Sequence, residues 1–193
     1  LPYYSNIDSN ITIRQLLNHT SGIADYNNIP GYADSIMKNP NRIFKTSELV
    51  QWIGTPEFAK GTSWSYCNSN YLLAGMIAEA ATGSTIAQLI RTYILHPLQM
   101  DSTFFDVSET VTGDIASPWQ MGINIGSIPR KSLNSAAYSA GAMYSTVREM
   151  NIWYQSLMAG KVINAASLNE MTKFVGSGNY GLGISRELLR NRV

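Results

Sequence analysis

Residues 61–79 read Gly61-Thr62-Ser63-Trp64-Ser65-Tyr66-Cys67-Asn68-Ser69-Asn70-Tyr71-Leu72-Leu73-Ala74-Gly75-Met76-Ile77-Ala78-Glu79. A glycine and a run of hydroxyl residues make a turn, after which Leu72, Leu73, Met76, Ile77 and Ala80 recur at helical spacing. Tyr66 and Asn68 therefore stand just before a helix, two residues apart in a turn that the helix anchors to a core. A phenol and a carboxamide so placed can face one cleft. The same residues also read as helix-start chemistry, with Asn68 or Ser69 capping free backbone N–H groups and Tyr66 as an interfacial aromatic.

Outward from this turn, the chain alternates short helices with punctuated loops. Thr12 caps a short helix through Leu17, and His19-Thr20-Ser21-Gly22 ends it with a glycine suited to positive φ. His19 reads either as a catalytic base or as a histidine tying the helix end to a neighbouring loop; the second reading is favoured. Residues 23–44 are irregular apart from a short helix at Tyr32–Lys38. Thr46, Glu48, Leu49, Val50, Trp52 and Ile53 signal another, stopped by Gly54 and Pro56.

Beyond the anchor helix, which runs to Ala81, another is expected from about Thr85 to Leu95, ended by Pro97. Phe104-Phe105 reads as a short strand. Residues 103–134, broken by Gly113, Pro118, Gly122, Gly126 and Pro129, read as a long loop that can line a cleft. Ser145 or Thr146 caps a helix to about Ala159, a short helix spans about Ala166–Phe174, and Gly176–Gly183 leads into a strand. The expected class is α+β, predominantly helical.

Hydrophobic residues are 45% of the 193 and charged ones 14%, enough apolar material for a core and too little charge for disorder. A formal charge of +1 without a basic cluster argues against nucleic acid as a partner. A single cysteine, Cys67, excludes an internal disulfide framework, and with no cationic neighbour in sequence it reads as a small buried side chain. Two separated histidines, His19 and His96, give no zinc pattern, so no metal is expected. No apolar run approaches the roughly 20 residues that span a bilayer.

Several stretches, in order, resemble the serine β-lactamase and penicillin-binding-protein superfamily, in the branch of class C β-lactamases, D-alanyl-D-alanine carboxypeptidases and related esterases. Tyr66-Cys67-Asn68 resembles its Tyr-x-Asn motif. Ile11-Thr12-Ile13-Arg14-Gln15-Leu16-Leu17-Asn18-His19-Thr20-Ser21-Gly22, His96-Pro97-Leu98-Gln99-Met100-Asp101-Ser102-Thr103 and Ser139-Ala140-Gly141-Ala142-Met143 with Ser145-Thr146 are similar to three further segments. Tyr180-Gly181-Leu182-Gly183 resembles the start of a late strand. The resemblance implies a helical region over 1–137 carrying the Tyr-x-Asn turn. It also implies, over 138–193, helices and a strand returning toward an incomplete α/β region.

It further implies acyl transfer by a serine nucleophile on a β-lactam, a D-alanyl-D-alanine peptide or an ester, with Tyr66 in proton transfer and Asn68 binding substrate. No cofactor is implied, and the implied location is extracytoplasmic. A free phenol has a pKa of about 10, so Tyr66 serves near neutral pH only where cations lower that value. A catalytically silent module of the same fold, binding a cell-wall peptide or a protein, is the alternative.

The departures from the family pattern are specific. Acyl transfer here needs Ser-x-x-Lys on one helix face. The literal match, Ser35-Ile36-Met37-Lys38, follows the Ile-Thr-Ile-Arg segment, whereas the family's motif precedes it. Lys45-Thr46-Ser47 imitates the family's Lys-Thr-Gly element but opens a helix. Gly176-Ser177-Gly178-Asn179-Tyr180-Gly181 satisfies Gly-x-Gly-x-x-Gly without the flanking strand and helix of a nucleotide site. The expectation is an internal fragment, with the nucleophile segment before Leu1 and the third motif after Val193, and inactive by itself.

Overall fold

Thr12 and Gln15 close the start of the first helix, α1 (Ile13–Leu17), as a reciprocal capping box. The Thr12 hydroxyl accepts the Gln15 N–H at 3.2 Å and the Gln15 side-chain oxygen accepts the Thr12 N–H at 3.0 Å. The computed structural model describes residues 2–124, 126 and 128–187. Short helices follow at α2 (Tyr32–Met37) and α3 (Thr46–Leu49), the latter running on as a 3-10 turn over Val50–Trp52. Its start lies one residue earlier than a Thr46 cap would give. Lys45 holds the cap position, and the Glu48 carboxylate accepts the Lys45 N–H at 2.9 Å.

The anchor helix, α4 (Asn68–Thr82), is the longest element and ends on Gly83 at φ 71°. Leu72 and Leu73 on its inner face are buried with Leu16 of α1, Leu49 of α3, and Ile23, Tyr26 and Ile53 from the connecting segments. One apolar core thus backs the turn at residues 61–67. α5 (Ile86–Ile90) begins with a second capping box, Thr85 with Gln88, and widens into a π turn over Arg91–Leu95.

Close packing of α4 is set by a glycine. A Cβ on Gly75 would stand 2.1 Å from Ser139 Oγ and 2.5 Å from Ser139 Cβ. Ser139 in turn donates to the Tyr71 carbonyl at 2.7 Å. Gly75→Ala gains about 1 kcal/mol in helix propensity but forces the Tyr138–Ala140 turn off the helix, an overpacking cost of about 1–3 kcal/mol. A net loss of up to about 2 kcal/mol is expected, read as a lower urea midpoint with unchanged slope.

The region from 103 to 134 is more ordered than its sequence suggests. β1 (Phe104–Phe105) forms as expected. It pairs antiparallel with β4 (Met143–Tyr144), and between them lie the hairpin β2 (Trp119–Gln120) and β3 (Ile123–Asn124) and the helix α6 (Arg130–Ala137). α6 buries Ser132, Ser135 and Ala136, a face of small residues that carries no apolar signal. Its hydroxyls take the place of greasy side chains: Ser132 donates to the Ile36 carbonyl at 3.0 Å, and Ser135 accepts the Phe44 N–H at 3.1 Å. Asp106 binds Arg130 through Nε and Nη2 at 2.8 and 2.6 Å, tying the loop to this helix.

α7 (Val147–Met158) starts at the expected Thr146 cap, and α8 (Ala165–Met171) at Asn164. Of the strand that Gly176–Gly183 is expected to lead into, the described residues show two isolated bridges, Tyr180 with Val175 and Tyr180 with Ser185. Gly176 and Gly178 instead lie against the Trp64 ring, where added Cβ atoms would come within 2.4 and 2.2 Å of it. The segment is shaped by that indole, and residues 188–193 lie outside the described part. The class is α+β and predominantly helical, as the sequence indicates.

Candidate active site

The turn that carries Tyr66 is laid along the segment after α1. Gly61 N–H donates to the Thr20 carbonyl at 2.7 Å and Ser65 N–H to the His19 carbonyl at 3.2 Å. Cys67 N–H donates to the His19 ring at Nδ1, 3.1 Å away. Cys67 is extended, with φ −151° and ψ 118°, so side chains alternate across it. Cys67 is buried, while Tyr66 is 52% exposed and Asn68 half-buried. The pleat puts the phenol and the carboxamide on the side opposite Cys67. Neither is sealed in apolar packing.

The helix start is built differently from the two options the sequence offers. Cys67 holds the cap position without a side-chain hydrogen bond, and Asn68 is the first helical residue. The cap comes from elsewhere in the chain: Asp25 Oδ2 accepts the Asn68 N–H at 3.0 Å and its Nδ2–H at 2.8 Å. Ser69, the other candidate cap, is fully buried. It accepts the Tyr26 N–H at 3.0 Å and donates to the Ala24 carbonyl at 2.7 Å, sewing the 24–26 segment to the helix.

His19 is a support beneath the site, in keeping with its structural reading. It is fully buried at φ 62°, with Tyr66, Tyr180 and Tyr71 packed around its ring at centroid distances of 4.5, 4.6 and 5.3 Å. Because Nδ1 accepts the Cys67 N–H, the neutral ring carries its proton on Nε2. Burial pushes the imidazole pKa down to about 4, and the nearby Asp25 carboxylate opposes this only in part. A neutral, enclosed ring is a shelf for the Tyr66 phenol. Tyr180, in the segment that resembles the start of a strand, closes the other side of that ring cluster, 6.2 Å from Tyr66.

Tyr66's own phenol pKa lies above the ordinary tyrosine value, chiefly because of partial burial and then because of Tyr180, Asp25 and Cys67. As it stands the phenol keeps its proton at neutral pH. Cys67 fits the reading of a buried small side chain, its thiol pushed up to about 11 by burial.

The decoys separate cleanly. Ser35 donates to the Tyr32 carbonyl at 2.8 Å and Lys38 pairs with Asp34 at 3.0 Å, so the literal Ser-x-x-Lys residues bond to other groups than each other. Lys45-Thr46-Ser47 opens α3, as expected. Asp25 is the site neighbour that the sequence did not disclose. It lies 43 residues from Asn68, and no local pattern links a loop aspartate to a distant helix start.

The model of the Beta-lactamase family matches residues 1–187. A Bacillus subtilis strain 168 protein named as penicillin-binding protein PbpX is 28% identical over 183 residues, 95% of this chain and 44% of that protein. The crystal structure of a D-stereospecific amidohydrolase from Streptomyces sp. superposes with a TM-score of 0.75 at 28% identity, covering 90% of this chain and 56% of that one. That of a D-amino acid amidase from Ochrobactrum anthropi SV3, complexed with L-phenylalanine, gives 0.73 at 26%, covering 90% and 52%. The chain thus spans about half the length of each of these three proteins.

Proposed function

The chain belongs to the Beta-lactamase family, and on that premise we propose that it forms the Tyr-x-Asn side of a serine acyl hydrolase that works through an acyl-enzyme. The observation that supports this most is the placement of Tyr66 and Asn68 together on the open side of a turn clamped by His19 and Asp25. The attacking serine and its lysine belong to sequence outside these 193 residues. The substrates are amides with a D-configured residue at the scissile bond: D-amino acid amides, D-alanyl-D-alanine peptides, or the β-lactams that imitate them. We assign the reaction to the outside of the cytoplasm, a reading that the family likeness supports.

In the reaction the serine Oγ bonds to the carbonyl carbon and the C–N bond breaks, so one proton leaves Oγ and one reaches the departing nitrogen. Tyr66, protonated in its present surroundings, is the donor to that nitrogen. The lysines that complete the site bring its pKa down, so that there the phenolate first takes the Oγ proton as base and then passes that same proton to the nitrogen as acid. Asn68 meets the acyl side of the substrate with its amide.

The test is to incubate the 193-residue chain, and a version extended at both ends, with fluorescent penicillin and with D-phenylalanine amide. The extended protein is expected to take one label and to release D-phenylalanine, and the short chain to do neither. Labelling of the short chain, or inertness of the extended one toward both compounds, contradicts the proposal; the second result favours a catalytically silent module.

A further inference from the structure

We propose that Asp25 is a positioning residue that fixes which way the Asn68 carboxamide faces. This rests on the reading that Asn68 belongs to the acyl-transfer site. Asp25 is 6% exposed, and both its oxygens are in use: Oδ1 accepts the Asn27 N–H at 3.0 Å, and Oδ2 accepts both the backbone and side-chain N–H groups of Asn68. An ionised carboxylate only accepts hydrogen bonds, so it must meet the nitrogen end of the amide and not the oxygen end. The flip of Asn68 is thereby settled. Left over are one N–H and the carbonyl oxygen Oδ1, which accepts no hydrogen bond among the described residues. One donor and one acceptor remain for a substrate carbonyl and for an ammonium group.

A helix cap alone does not call for this residue. Among the described residues no Lys or Arg pairs with Asp25, and burying a carboxylate without a cation costs more than burying a neutral cap. Serine or asparagine could accept the Asn68 N–H equally well. An amide at position 25, however, could present either end to Asn68 and leave its orientation open. The 24–26 segment is also held through Ser69, bonded to the Tyr26 N–H and the Ala24 carbonyl, and Asp25 Oδ1 caps the turn that follows, so the loop does not depend on the Oδ2 contacts with Asn68. Its specific product is the orientation of the carboxamide.

Two measurements test this. In the unaltered 193-residue chain, labelled with ¹³C, ¹⁵N and ²H, a scalar coupling is expected across the hydrogen bond from Asn68 Nδ2 to Asp25 Cγ. A folded spectrum without it overturns the proposal. In the extended protein, Asp25→Asn is expected to slow acylation at least about 10-fold, the order of loss that mispositioning brings, while amide protection of α4 persists.

The same variant removes one of the causes that hold the Tyr66 proton, the others being burial, Tyr180 and Cys67, while the neutral His19 ring only packs against the phenol. The alkaline limb of the acylation profile therefore moves to lower pH through the lost charge, while the loss of rate at the pH optimum reports the lost orientation of Asn68. Wild-type acylation rates with the coupling intact contradict the proposal. Should the unaltered extended protein fail to acylate at all, the hydrolase reading falls, and the coupling still decides whether Asp25 orients Asn68.

Discussion

Tyr66→Phe in the extended protein is expected to slow acylation by about 10²–10⁴-fold, the range that a positioned proton donor or base contributes, with little change in stability. The expectation of an intact fold follows from the packing. Tyr66 is half exposed, its hydroxyl makes no hydrogen bond among the described residues, and phenylalanine keeps the ring contacts with His19 and Tyr180. A change below about 0.5 kcal/mol is expected in urea unfolding, as for surface substitutions generally. Single-turnover labelling with fluorescent penicillin measures the rate. An unchanged rate would remove Tyr66 from the chemistry and leave it as a covering for His19.

The second large effect concerns pH and needs no catalytic activity. In the unfolded chain His19 takes up a proton near pH 6.5, and in the folded chain only near pH 4, because its ring is buried among aromatic residues. Between those values the unfolded state binds more protons. The stability linked to His19 is therefore fully present above pH 6.5, falls as pH drops toward 4, and levels off below it. The whole span is worth about 3 kcal/mol, since each tenfold change in proton affinity corresponds to about 1.4 kcal/mol.

Urea unfolding at pH 7.5 and 4.5 checks this against His19→Asn, which tolerates the positive φ of position 19 and does not titrate. The variant is expected to be less stable at pH 7.5 and to lose about 2 kcal/mol less than the unaltered chain between the two pH values. Equal losses would contradict the assignment.

Much of this architecture was legible because it is local. Thr12, Thr85 and Thr146 announce their helices by chemistry that acts over three residues, and α4 by an apolar stripe. What the sequence hid is held by contacts between distant segments. α6 buries Ser132, Ser135 and Ala136, so its inner face looks like a loop until Ile36 and Phe44 are beside it. The segment that leads toward the expected strand bridges only at Tyr180 and wraps around Trp64, which two glycines permit and no periodicity foretells.

The candidate site divides in the same way. Tyr66 and Asn68 stand two residues apart and could be read together, whereas His19 and Asp25, which hold them, reach the turn across 48 and 43 residues. A capping asparagine and a surface tyrosine are the ordinary meaning of that turn. The external cap from Asp25 frees the side chain of Asn68 from that duty, and this is visible only once the chain is folded.

Peptide mapping of the acylated protein bears most directly on the central claim. After the extended protein has reacted with penicillin, digestion and mass spectrometry should place the adduct on one serine of a Ser-x-x-Lys sequence outside residues 1–193, with no adduct in the Tyr66→Phe variant at short reaction times. An adduct on Ser35, or on any other serine within these residues, would contradict the account.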